Sequence, residues 1–89
     1  MKVELKKRAL RRLKLIEGQV RGLARLVEEE KYCVDLITQS LAAKHALSGV
    51  EDLILENHLK THAMDQMRSG KEAQAAAEIL KVYKLAKKK

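Results

Sequence analysis

Residues 32–67, YCVDLITQSLAAKHALSGVEDLILENHLKTHAMDQM, hold the only cysteine, all three histidines and much of the apolar surface of this 89-residue chain. They read as one long helix. Proline is absent, and the lone Ser48-Gly49 pair lacks the second turn residue that a chain reversal needs. Cys33 stands at the start of the stretch, and His58 and His62 near its end are four residues apart, the spacing that stacks two side chains on one helix face. That pair is a candidate metal site. His45 has no comparable partner and reads as a surface or dimer-axis residue.

Working outward, the whole chain has the composition of an all-α protein. It contains no proline, 4 glycines and 2% aromatic residues, with Ala, Leu, Lys and Glu dominant, which favours helix over strand. At this length one domain, residues 1–89, forms a marginal core, and a metal or a second subunit is the usual remedy. No apolar run approaches the ~18 residues of a membrane span, and no signal-peptide pattern opens the chain, so the expectation is a soluble cytoplasmic protein that does not engage a membrane. One cysteine leaves no internal disulfide and makes its thiol chemistry the point of interest.

The net charge of +7 is unevenly spread. Residues 1–27 carry nine Lys/Arg against two Glu, residues 28–70 four against eight acids, and residues 71–89 six against two. Two basic ends around an acidic middle form a footprint for a polyanion. With no Phe or Trp, the chain lacks platforms for stacking single-stranded bases, so double-stranded DNA held through its phosphates is the expected partner.

The first helix, 4–28, is marked by apolar residues at Leu5, Ala9, Leu13, Ile16, Val20, Leu23 and Val27. Lys7, Arg11, Lys14, Arg21 and Arg25 lie opposite, flanked by Arg8 and Arg12. Of these, Arg8, Arg11, Arg12, Lys14 and Arg21 are the candidate DNA contacts. Gly18 and Gly22 inside the helix cost about 1 kcal/mol each relative to alanine and suggest a close approach by another helix or a phosphate. Glu28-Glu29-Glu30 suits the start of the next helix better than the end of this one, which places a turn at 28–31. A third helix, 70–85, follows Arg68-Ser69-Gly70, with Ser69 and Glu72 spaced as a capping box and Ala73, Ala76, Ala77, Leu80 and Tyr83 as its core face. Residues 86–89 form a basic tail.

On one straight helix Cys33 and His58 are about 37 Å apart at 1.5 Å per residue, so they cannot share an ion within one chain. A hairpin at Ser48-Gly49 would unite them, as would an antiparallel dimer in which Cys33 of one copy meets His58 and His62 of another. The dimer is favoured. Ala42, Ala43, Ala46 and Gly49 near the helix midpoint are small enough for two helices to cross, and a two-fold axis there creates two identical sites. A thiolate with two imidazoles suits Cu(I) in three-coordination, with Ag(I) as a similarly soft ion. It also suits Zn(II), Ni(II) or Co(II) if further ligands join.

The stretch RRLKLIEGQVRGLARLVEEEKYCVDLITQSLAA at 11–43, the long helix, HLKTH at 58–62 and a short third helix together resemble the CsoR/RcnR family of metal-responsive repressors. The resemblance implies three helices per chain with a long central one, an antiparallel dimer, and a tetramer built as a dimer of dimers. It also implies metal bound between protomers and repression of efflux genes by the metal-free protein. No enzymatic activity is expected, since no cluster of acids, bases and nucleophile stands outside the metal site. By position Cys33 and His58 match family ligands, and His62 falls where copper sensors usually carry a second cysteine. A Cys-His-His set resembles the nickel/cobalt branch, but that branch's N-terminal histidine is absent, since residues 1–3 are Met-Lys-Val. Tyr32 and Glu78 match the copper branch's partners for the outer nitrogen of the ligating histidine. The N-terminal proline of the formaldehyde-sensing branch and the second cysteine of the persulfide-sensing branch are both missing. The expected function is therefore a Cu(I)-sensing repressor, released from operator DNA on metal binding. A nickel/cobalt sensor and a ligand-independent architectural DNA-binding protein are the alternatives.

Overall fold

The computed structural model describes residues 1–88. In order they form α1 (Val3–Glu28), α2 (Cys33–His58), a π-helical turn (Leu59–Ala63), α3 (Met64–Arg68) and α4 (Glu72–Lys87). Among the described residues there is no strand, and the all-α expectation holds. Among the described residues no helix is long and apolar enough to cross a membrane. The chain divides into two compact units, Met1–Leu55 and a second that begins at Glu56.

The first unit is an antiparallel αα-hairpin. Arg12, Ile16 and Gln19 of α1 face Gly49, Ala46 and His45 of α2 around one shared depression, so positions rise on one helix as they fall on the other. Ala9 and Ile16 are buried on α1, and Val50 and Leu53 on α2. The hairpin turn is built without glycine. Glu30 takes φ +51, the amide of Glu30 donates to the Val27 carbonyl, and that of Lys31 donates to Leu26. This paired closure caps the last carbonyls of a helix and ordinarily places glycine at the left-handed position.

The apolar stripe expected on α1 divides in two. Ala9 and Ile16 are buried and Leu5 and Leu23 half-buried, while Leu13, Val20 and Val27 stay exposed at 38%, 52% and 55%. On α2, Val34, Ile37 and Leu41 are exposed as well. One hairpin therefore covers only part of the apolar surface that the sequence supplies. Within 4 Å of a Cβ built at Gly18 or Gly22 there is nothing, so no group of the described chain makes the close approach expected there.

In the second unit the stretch expected as part of one α-helix changes its hydrogen-bond pattern at Leu59–Ala63. The Thr61 hydroxyl donates to the Asn57 carbonyl at 2.7 Å, a bond from side chain to preceding turn that competes with the regular ladder. Helix α3 is closed by Gly70, φ +75, with the amides of Gly70 and Lys71 donating to the Met67 and Gln66 carbonyls. The expected capping box is not formed. Lys71 is the residue before α4 and caps nothing with its side chain, while the Ser69 hydroxyl turns back to the Asp65 carbonyl at 2.8 Å. The C-terminal closure of α3 consumes Ser69, which leaves it unable to serve α4. The expected core face of α4 is also corrected. Ala73, Ala76, Ala77, Leu80 and Tyr83 are exposed, and the buried residue is Ala75, with Glu78 and Ile79 half-buried beside it. Fully buried Ala63 and nearly buried Ala75 let the backbones approach closely, and that approach selects which side of α4 faces inward.

Candidate metal centre and basic face

His58 is the last residue of α2, and His62 lies within the π-helical turn. Their ring centroids are 5.6 Å apart with planes tilted by 49°. The i, i+4 spacing thus brings the two imidazoles together, as the sequence predicts. Glu78 on α4 comes to them from the other side of the unit. Its Oε2 is 3.6 Å from His58 Nε2, with the His58 side chain 30% and the Glu78 side chain 41% exposed.

Two glutamines hold that carboxylate. Gln66 Nε2 donates to Glu78 Oε2 at 3.1 Å, and Gln74 Nε2 donates to Oε1 at 3.2 Å. These bonds, Gln66 first and Gln74 next, hold the Glu78 pKa below the usual carboxylate range, aided by the nearby His58 and His62 and opposed by burial. An ionised carboxylate aimed at Nε2 favours a proton on that nitrogen, which leaves His58 Nδ1 as the atom free to coordinate. His58, His62, Gln66 and Glu78, with Asp65 and Lys71, line one open depression of about 420 Å³.

Cys33 begins α2 and its thiol is exposed. Tyr32 precedes it and is 71% exposed. Among the described residues, no group of three or more His, Cys, Asp or Glu side chains gathers in a way that could hold a metal ion. The second unit therefore presents the two imidazoles with their carboxylate. Gln66 and Gln74 escape the sequence reading. Their signal was spacing alone, Gln66 four residues after His62 and Gln74 four before Glu78, and surface glutamines at that spacing are ordinary.

Arg8, Arg11, Arg12, Lys14 and Arg21 are all exposed on α1. They are not equivalent. Arg21 is paired with Glu17 at 3.2 Å in an exposed i, i+4 ion pair. Arg12 lies on the seam with α2, its guanidinium 3.9 Å from where a Cβ on Gly49 would be, beside Gln19 and His45. Two positions on, Lys14 is turned about 200° around the helix from Arg12. The expected band of cations is thus split between the seam and the outer surface.

The metal-sensitive transcriptional repressor family profile matches residues 5–85. The chain is 44% identical over 73 residues to the copper-sensing transcriptional repressor CsoR of Bacillus subtilis (strain 168), covering 82% of this chain and 72% of that protein. It is 41% identical over 80 residues to the copper-sensing transcriptional repressor RicR of Mycobacterium tuberculosis (strain ATCC 25618 / H37Rv), covering 83% of each. The crystal structure of the copper-sensing repressor CsoR with Cu(I) from Geobacillus thermodenitrificans NG80-2 matches with a TM-score of 0.91 at 35% identity, over 99% of this chain and 92% of that one. With these matches spanning nearly the whole chain, the protein belongs to the family of metal-sensitive transcriptional repressors, regulators that bind DNA and are not enzymes.

Proposed function

We propose that this protein is a Cu(I)-sensing repressor that holds operator DNA when metal-free and leaves it when Cu(I) binds, derepressing metal efflux genes. The observation that carries the reading is the His58–His62 pair with Glu78 fixed at His58 Nε2, which leaves Nδ1 for coordination. Cys33 of one copy and His58 and His62 of another would hold the ion in an antiparallel dimer, and two dimers would form a tetramer. Support for the second copy comes from Leu13, Val20, Val27, Val34, Ile37 and Leu41, apolar residues that a single chain leaves exposed.

Tyr32 and Glu78 act on the outer nitrogen of His58 and pass metal occupancy to the helices around them. Arg8, Arg11, Arg12, Lys14 and Arg21 contact the DNA duplex. By linkage, whatever factor Cu(I) removes from DNA affinity, DNA removes from Cu(I) affinity. Cys33→Ala is expected to keep metal-free operator binding and to lose release by Cu(I), read by fluorescence anisotropy of labelled operator. Release that persists in the variant removes Cys33 from the site.

His62, an imidazole where copper sensors usually have a thiol, favours a second reading as a nickel/cobalt sensor. X-ray absorption separates the two. Three-coordinate Cu(I) with one sulfur supports the first, and six-coordinate Ni(II) with the tighter operator response supports the second. A protein that takes up neither metal stoichiometrically would be a ligand-independent architectural DNA-binding protein.

A further inference from the structure

We infer that Gln66 is a positioning residue for both histidines at once, its amide N–H fixing Glu78 against His58 and its unpaired amide oxygen serving as the acceptor that the outer N–H of His62 reaches when the ring coordinates a metal. The inference rests on the reading of His58 and His62 as metal ligands and goes beyond it by naming what orients the second one.

A coordinating imidazole has a second ring nitrogen that carries a proton, and an acceptor for that proton fixes both the tautomer and the ring plane. For His58 the acceptor is Glu78, whose Oε2 is 3.6 Å from Nε2, just beyond hydrogen-bond length and able to tighten. For His62 no hydrogen bond exists among the described residues. Gln66 lies one turn beyond His62 and lines the same depression. Its Oε1 is a buried acceptor without a donor, while its Nε2 is engaged by Glu78.

The orientation of that amide follows from its surroundings. Reversing it would set the amide oxygen against the Glu78 carboxylate, two acceptors with no proton between them. Oε1 therefore points away from Glu78 and is left without a partner, a costly state for a buried acceptor unless an N–H reaches it. Asp65 also lines the depression, but it is an exposed carboxylate. A neutral acceptor suits the role better than a carboxylate. It fixes the imidazole N–H without stabilising a second ring proton, and so leaves His62 available to a metal cation.

The experiment uses the full-length protein with Gln66→Met, which keeps volume and helix propensity and removes both amide functions, and Gln66→Glu, which keeps acceptors and removes the donor. Three readouts are taken: histidine tautomers in the metal-free protein by long-range ¹H–¹⁵N NMR, Cu(I) affinity by chelator competition, and imidazole count by X-ray absorption. The parent is expected to show His58 protonated on Nε2, with two imidazoles in the Cu(I) form. Gln66→Met is expected to mix the His58 tautomers, to lower Cu(I) affinity about 10-fold or more, and to reduce the count to one imidazole, with metal-free operator affinity unchanged. Gln66→Glu is expected to keep two imidazoles while mixing the His58 tautomers, which separates the two halves of the role. A Met variant with the parent's tautomers, affinity and imidazole count overturns the role of Gln66 alone. A parent that binds Cu(I) without imidazole overturns the site reading beneath it.

Discussion

Glu30 closes α1 at φ +51, and Gly70 closes α3 at φ +75, through matching pairs of backbone hydrogen bonds. One chain thus holds the same closure with and without a Cβ. A Cβ in the left-handed region costs about 1–2 kcal/mol. Exchange to glycine gives back about 0.5–1 kcal/mol of that as added freedom in the unfolded chain. Removing the Glu30 charge from the negative end of the α1 dipole adds about 0.3 kcal/mol. No hydrogen bond or ion pair of the Glu30 side chain among the described residues opposes the gain. Glu30→Gly is therefore expected to raise the unfolding free energy by about 1 kcal/mol, and Gly70→Ala to lower it by about the same amount. A Cβ at Gly70 meets nothing within 4 Å, so that loss is a backbone effect and not a clash. Urea unfolding at one fixed protomer concentration reads both changes, because the proposed assembly would make the midpoint depend on concentration. The slopes should match the parent. A Glu30→Gly protein no more stable than the parent would refute the reasoning, since it would mean that the side chain contributes more than its backbone conformation costs.

The remaining expectations concern the basic face and the carboxylate. Arg12→Ala and Lys14→Ala should each weaken operator binding and flatten its dependence on log salt by about 0.9 for every phosphate no longer neutralised. An unchanged slope for either removes that residue from the interface, and the structure makes the comparison informative because the two lie on different sides of α1. The depressed Glu78 pKa predicts a stability contribution that is complete above the ordinary glutamate value and fades as pH falls through the lower folded value. The difference in urea midpoint between the parent and Glu78→Gln should therefore shrink below about pH 4. A difference constant from pH 7 to pH 3 would show that the carboxylate's charge is not what stabilises it.

Helix content, the hairpin turn after α1 and the pairing of His58 with His62 were legible in residue order, because each depends on neighbours within a few positions. The 3.6-residue period writes a helix face directly into the chain, and i, i+4 spacing places two imidazoles together whatever surrounds them. The family was legible too, through motifs spread along most of the length. What the sequence could not determine was which side of an apolar helix is buried. The α1 stripe and the face of α4 each contain more apolar residues than one chain covers, and only packing chose Ala9 and Ile16 over Val20, and Ala75 over Leu80. Nor could it reveal Ser69 turned toward Asp65, or the two glutamines on Glu78. Those interactions pit one hydrogen-bond partner against another, and the contest is decided by where α3 and α4 bring their side chains. Periodicity belongs to the sequence by itself, whereas the choice among competing partners belongs to the tertiary structure, because only folding sets the distances at which they compete.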